Sequence, residues 1–178
     1  EADDVIATLC HQSQEFGNHE PVMIISADHD FKQLQVYDNV KQYSPLHKKF
    51  VVAEPSAAEY RLEHIIKGCS GDGVPNVLSD DDTFVDASKR ETPMSKKKLQ
   101  MLMENPRSLG EQVYRNYIRN EKLVSLTDKK HDIPESVRSD IINTFEEQHT
   151  RWHNKGKIFP YLVEKRCRHL IESIEDFF

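Results

Sequence analysis

The segment 21–26, Pro-Val-Met-Ile-Ile-Ser, is a short apolar run with chain-breaking or turn-forming residues at both ends. At that length it predicts a β-strand buried on both faces rather than a helix. A helix precedes it. Within 4–16, Val5 and Leu9, then Ile6 and Cys10, fall four residues apart on one side. Asp3 or Asp4 can cap its start, and Gly17 can end it. Residues 31–35 read as a helical turn. Residues 40–43 and 50–53 read as short strands flanking the polar loop 44–49. A helix, a buried strand and a polar loop in that order predict an α/β sheet, where ligand sites gather at the C-terminal strand ends.

With 178 residues the chain has room for one large domain or two small ones. Its 37% hydrophobic and 30% charged content fits a soluble globular protein, and no membrane partner is expected. No apolar run is long enough to span a membrane. The chain opens Glu1-Ala2-Asp3-Asp4, with neither an initiator Met nor a signal peptide, so a piece of a longer polypeptide is expected. Cys10, Cys69 and Cys167 form no C-x-x-C pair. This argues against a zinc site or disulfide framework and for a reducing cytoplasm. The net charge of -6 is unevenly spread. Residues 1–92 hold 8 basic and 17 acidic residues, whereas residues 93–178 hold 16 basic and 13 acidic ones. That split permits cations on one part and phosphate on the other; it equally suits two plain solvated surfaces.

Pro55-Ser56 marks an expected boundary between regions 1–54 and 55–178. Ser56 is a plausible N-cap for a helix over 57–67, with Glu59 in the capping-box position and Gly68 as terminator. Residues 71–76, Gly-Asp-Gly-Val-Pro-Asn, must form a tight loop. Beyond them the pattern is mostly helical, broken at Pro93, Pro106, Pro134 and Pro160, with a polar stretch over 80–91. Lys96, Lys97 and Lys98 lead into a basic-faced helix.

The acidic residues sit in telling places. Glu1 and Asp3 stand two apart just before a helix, Asp28 and Asp30 two apart just after the strand, and Asp72 in the glycine-rich loop. In extended chain, residues two apart point to the same side. Carboxylates aimed at one point repel unless cations neutralise them. Mg²⁺ prefers oxygen ligands and keeps water and phosphate in its shell, and two such ions can drive phosphodiester cleavage. Singly, each aspartate also reads as a cap or a loop residue. This pattern alone does not separate a nuclease from another Mg²⁺-dependent phosphoryl enzyme.

Three ordered segments carry a resemblance: Glu1-Ala2-Asp3-Asp4, Ser26-Ala27-Asp28-His29-Asp30-Phe31-Lys32-Gln33-Leu34, and Gly71-Asp72-Gly73-Val74-Pro75-Asn76. Together they resemble the motifs of the flap endonuclease/5′→3′ exonuclease family, and especially its T-even phage ribonuclease H branch. Residues 39–50, Arg90-Glu91-Thr92-Pro93 and 122–126 fit the same pattern. The resemblance implies part of a PIN-like parallel sheet followed by a helical region with a helix–three-turn–helix DNA-binding motif. It implies removal of RNA primers and 5′ flaps during replication, with two Mg²⁺ ions for which Mn²⁺ can substitute. Glu1, Asp3 and Asp28 would lie at the first metal, and Asp30 and Asp72 at the second; Asp3, Asp28 and Asp30 would be catalytic. Gly71, Gly73, Val74 and Asn76 would grip the duplex backbone through amides, with a monovalent cation at that loop. Lys48, Lys49, Arg90, Lys96, Lys97 and Lys98 are the matching phosphate contacts, against the plainer reading of solvated surface residues.

Two departures stand out. The family loop carries a first aspartate where this chain has Cys69, and a thiol is a poor Mg²⁺ ligand. The family's N-terminal segment, with its opening strand and further aspartates, has no counterpart ahead of Glu1. The 178-residue chain alone is therefore expected to be inactive or barely active. At the other end, Ile174, Phe177 and Phe178 resemble the plug by which replication proteins enter a sliding clamp. The alternative is a terminal helix burying Leu170, Ile171, Ile174 and Phe178 on the core. The resemblance also implies contact with a phage single-strand-binding protein, and hence work in the host-cell cytoplasm. The leading expectation is a Mg²⁺-dependent 5′-nuclease. The rival, favoured by Cys69, is a module that holds duplex DNA and replication proteins without cutting.

Overall fold

A computed structural model describes residues 2–15, 19–127, 133–149 and 155–174. The chain divides into two compact units, Glu1–Glu135 and Ser136–Phe178. The boundary expected at Pro55 falls inside the first unit, at the turn between its sheet and its second helix.

The first unit opens with α1 (Ala2–Glu15), followed by β1 (Val22–Ile25), a 3-10 helix over Asp30–Val36, β2 (Val40–Ser44) and β3 (Lys49–Val51). The strands form one sheet in the order β1-β2-β3, with β1–β2 parallel and β2–β3 antiparallel. Of the two stripes predicted on α1, Ile6/Cys10 faces inward while Val5 is 40% exposed. Ala7 and Cys10 pack there with Ile24, Phe31, Leu34, Val40 and Leu126.

β1 departs from expectation. Ile24 is buried, but Met23 and Ile25 on the opposite face are exposed, Ile25 at 68%. Among the described residues the strand is buried on one face only, because β2 is its one partner there and α1 covers one side. The sequence of β1 is therefore more apolar than its surroundings among the described residues require.

α2 (Ala57–Lys67) begins and ends where the sequence predicts. The Ser56 hydroxyl accepts from the Glu59 amide and donates to the Glu59 carboxylate. Gly68 ends the helix at φ 68°, and a Cβ there would strike the Val74 and Pro75 carbonyls. After the loop come α3 (Lys96–Glu104) and α4 (Glu111–Val124). Together they enclose a second core of Ile65, Ile66, Val74, Val77, Leu102, Tyr117 and Val124.

Buried amides tie these parts together. Asn120 donates to the Ile65 and Pro75 carbonyls, and Asn116 to those of Val77 and Ser79. Gln33 donates to the Val124 carbonyl and accepts from the Leu126 amide, fixing the 3-10 helix to the end of α4. His11 and Tyr37 add to this seam. The Tyr37 hydroxyl contacts His11 Nδ1 at 2.6 Å, and His11 Nε2 reaches the Leu126 carbonyl at 3.0 Å.

The second unit contains most of α5 (Glu135–His149), then α6 (Ile158–Glu164) and α7 (Arg168–Glu172). α7 stops at Glu172, shorter than the terminal helix the spacing suggests. Ile174 is half-buried, while Phe177 and Phe178 lie outside the described residues.

Candidate metal centre and nucleic-acid interface

Three distant segments converge on one cavity. The first turn of α1 brings Asp3 and Asp4, the start of the 3-10 helix brings Asp30, and the loop after α2 brings Asp72. Val74, Leu123, Val124 and Leu126 complete the lining of a space of about 330 Å³. At roughly 30 Å³ per water, this holds a cation with a hydration shell.

The loop that presents Asp30 is well supported. Buried Gln42 on β2 donates to the carbonyls of Ser26 and Asp28, at 3.0 and 2.6 Å. Gln35 accepts from the Ala53 amide and donates to the Val51 carbonyl, binding the 3-10 helix to the β3 side. The Asp28 side chain turns back, and its Oδ1 accepts from the Asp30 amide at 3.0 Å. This is an Asx turn, and it aims Asp30. Asp28 itself is exposed and does not line the cavity.

The extended-pair geometry expected of the acidic residues is thus replaced. Asp3 sits in the first turn of α1 rather than ahead of it, and Asp30 begins a 3-10 helix. Glu1 lies outside the described residues. Asp4, expected only as a helix cap, lines the cavity. The sequence signal for Asp4 was its place beside Asp3 at a helix start.

Two further residues shape this corner. His64 on α2 lies with Nε2 2.9 Å from Asp30 Oδ1. The contact is close but off the hydrogen-bond direction, since Nε2 is buried without a well-aligned partner. Burial first, and then the neighbouring Asp72 carboxylate, raise the pKa of the Cys69 thiol, so the neutral thiol is favoured. Tyr60 stacks on His64, and burial together with Asp30 and Asp28 pushes its pKa up to about 12.

Among the described residues, no three His, Cys, Asp or Glu side chains come close enough together to grip an ion directly. The donor chemistry is nonetheless that of a hard cation: four carboxylates around a polar space large enough for a hydrated ion. A cation that keeps much of its water fits this spacing better than a dehydrated one.

The glycine-rich loop differs from expectation in its use of amides. The Asp72 and Val74 amides donate to the Cys69 carbonyl, Gly73 to Ser70, and Asn76 to the Glu91 carboxylate. These groups are engaged inside the fold, and Val74 and Asn76 are buried. Asn76 is a structural hub, donating to the Thr92 carbonyl and accepting from the Leu78 amide and the Ser79 hydroxyl. This accounts for Glu91 and Thr92 in the Arg90-Glu91-Thr92-Pro93 motif. Gly71 and Gly73 are the exposed backbone of the loop. The Pro75 carbonyl already accepts from Arg119 and Asn120, so a monovalent cation there would meet a filled acceptor and a guanidinium.

The predicted basic residues remain on the surface. Lys48 and Lys49 sit in the β2–β3 turn, Lys48 at φ 51°. Arg90 is exposed, and Lys96, Lys97 and Lys98 form the first turn of α3 behind the Ser95 cap. Cations at a helix N-terminus oppose the helix dipole, at a cost of about 0.3–1 kcal/mol each. The acidic stretch is different: Asp80 and Asp82 pair with Lys89, and Asp81 with Arg115 and Arg119. Those carboxylates are held by the chain's own cations.

Comparison with known proteins places these features. Residues 56–177 match the family model described as the C-terminal region of T4 RNase H. The chain is 34% identical to the ribonuclease H of Enterobacteria phage T4 over 184 aligned residues, covering 99% of this chain and 58% of that protein. A solved structure of a lysine-to-alanine mutant of the phage T5 5′-exonuclease aligns with TM-score 0.50 at 19% identity, over 83% of this chain and 65% of the other. The chain thus spans under two thirds of the length of each. The structural likeness supports the mixed α/β, PIN-like nuclease fold.

Proposed function

The chain belongs to the family of the T4 ribonuclease H C-terminal region, and from that premise we propose that it forms the carboxylate-bearing, duplex-gripping part of a Mg²⁺-dependent 5′→3′ nuclease acting on RNA primers and 5′ flaps in phage replication. The relatives are named as a ribonuclease H and a 5′-exonuclease, which supports the nuclease class. The carrying observation is the convergence of Asp3, Asp4, Asp30 and Asp72, from three separate segments, on one cavity.

In this reading Asp3, Asp30 and Asp72, with Glu1 and with Asp28 as the residue that aims Asp30, hold two Mg²⁺ ions, partly through water. Bound there, the ions supply a nucleophilic hydroxide and stabilise the leaving oxygen. The chain's own residues bind and orient the substrate. Lys96, Lys97 and Lys98, set at the unfavourable end of α3, take phosphates of the duplex. Lys48, Lys49 and Arg90 extend that contact. The apolar walls of Leu123, Val124 and Leu126 limit water on one side of the cavity. No described helix is long and apolar enough to cross a membrane, which suits work on nucleic acid in the host cytoplasm. Ile174, Phe177 and Phe178 are the matching clamp contact, alongside a single-strand-binding protein.

The exposed outer face of β1 supports one more part of the proposal. Met23 and Ile25 await cover from sequence that the T4 relative has and this chain does not align with. The 178-residue chain alone is then inactive or barely active on a 5′-flap duplex. Adding the remaining part of such a nuclease restores Mg²⁺-dependent cleavage, and D30N or D72N abolishes it. Robust cleavage by the chain alone overturns the incomplete-site reading, and undiminished cleavage by D30N in the restored assembly overturns the site. The second reading, a non-cutting DNA-binding module, is favoured by one observation: the thiol of Cys69, a poor Mg²⁺ ligand held in its neutral form by burial, stands next to Asp72 at this site. It predicts flap-duplex binding without cleavage in the restored assembly.

A further inference from the structure

Asp30 is approached from behind by a stack of side chains that no metal-ligand pattern explains. Lys32 Nζ lies 4.8 Å from the centre of the Tyr60 ring. Tyr60 stacks on the His64 imidazole at 5.8 Å between centroids, with the rings 13° from parallel. His64 Nε2 then meets Asp30 Oδ1 at 2.9 Å, with the two side chains only 14% and 18% exposed. Tyr60 and His64 lie four residues apart on α2, which places both on one face of the helix. Lys32 and Asp30 both belong to the 3-10 helix. The stack therefore clamps α2 to the segment that carries Asp30.

We infer that His64 is a positioning residue: it holds the Asp30 carboxylate in the cavity orientation and so sets cation affinity at this site. This rests on the reading of the cavity as a cation site. The chemistry is that of the outer partner of a metal-bound carboxylate, which restricts the ligand's rotation before the ion arrives. Nε2 lies 2.9 Å from Oδ1 but off the hydrogen-bond line, and a small rotation of the Asp30 carboxylate brings Oδ1 into line with an Nε2–H. A carboxylate offers about four acceptor positions, so one oxygen on His64 leaves capacity for a cation. The ring cannot swing away without breaking its stack on Tyr60.

The test is titration of the 178-residue chain with Mn²⁺, following the EPR signal of free ion, for wild type, D30N, H64Q, H64N and Y60L. D30N weakens binding. H64N, too short to reach Asp30, weakens it about 10-fold, while H64Q, whose amide can donate from the place of Nε2, keeps most of it. Y60L leaves His64 present but loosened, and gives a smaller loss than H64N. Thermal melts of H64N and H64Q coincide, so the difference in affinity does not follow stability. If D30N weakens Mn²⁺ binding but H64N and Y60L bind like wild type, the inference falls and the cation site stands. Equal losses in H64N and H64Q also overturn it, since rescue by the amide is then absent. If D30N binds like wild type, the cation-site reading falls and the inference with it.

Discussion

In the α2–α4 part of the first unit, Ile65, Ile66, Val77, Leu102 and Asn120 have essentially no exposure, whereas on the sheet Met23, Ile25 and Phe50 are 47, 68 and 57% exposed. Both parts are built from similar apolar residues and both have their own core. The helical part closes around its core with α2, α3 and α4 and staples itself with Asn116 and Asn120. The sheet part has one face packed on α1 and one face open. The carboxylate cavity lies where the two parts meet, with Asp30 from the sheet side and Asp72 from the helical side. The helical part has its core closed by its own helices, whereas the sheet part carries an open apolar face suited to cover by a further packed layer.

The sharpest probe of that contrast is Leu102→Ala, a truncation in the closed core. It should cost about 2–5 kcal/mol by chemical unfolding; a loss under 1 kcal/mol would show a looser core than described. Asn120→Ala comes next. It leaves the Ile65 and Pro75 carbonyls short of a buried donor and should cost about 1–3 kcal/mol. Asn120→Asp keeps the shape but loses the donor, and should be no better.

Alkaline pH separates the two cores more gently. Burial raises the Cys10 thiol in the sheet core from 9.0 to about 11. In the helical core, burial and Glu121 raise Tyr117 from 10.0 to about 12. Each group is neutral when protonated, and its folded pKa is the higher one. The associated stability is therefore complete below the unfolded pKa and lost as pH rises through the folded pKa. The sheet core should begin to weaken above about pH 9 and the helical core above about pH 10. Hydrogen exchange or melts across this range would show it, and Cys10→Ala should flatten the earlier slope. The smallest effect belongs to Ile25→Ser on the open face, within about 0.5 kcal/mol. A cost above 2 kcal/mol would mean that this face is buried in solution.

Local signals in the chain were legible to a useful degree. The Ser56–Glu59 start and Gly68 end of α2 follow from capping chemistry and φ, which act over a few residues. The 3-10 helix and all three strands lie close to where apolar spacing places them. β1 reads as doubly buried in the sequence and has one open face among the described residues, because an apolar run reports what a strand can bury, not which neighbours these residues supply. Asp4 lines the cavity and Asp28 does not for a related reason: spacing along extended chain is void once Asp3 and Asp30 sit in helical turns. Asn76, expected at the DNA, is a buried hub instead.

By itself the sequence determined the elements, their ends and the acidic character of the ground between them, because periodicity, caps and turns are local. Only the tertiary structure decided which carboxylates share a cavity, that His64 stands behind Asp30, and that Gln33 reaches the Val124 carbonyl 91 residues away. Those contacts depend on packing between segments far apart in the chain, and no local pattern of residue types encodes their distances. The opening pair of features, an apolar strand and the carboxylates after it, thus foretold a charged site. Packing chose its members.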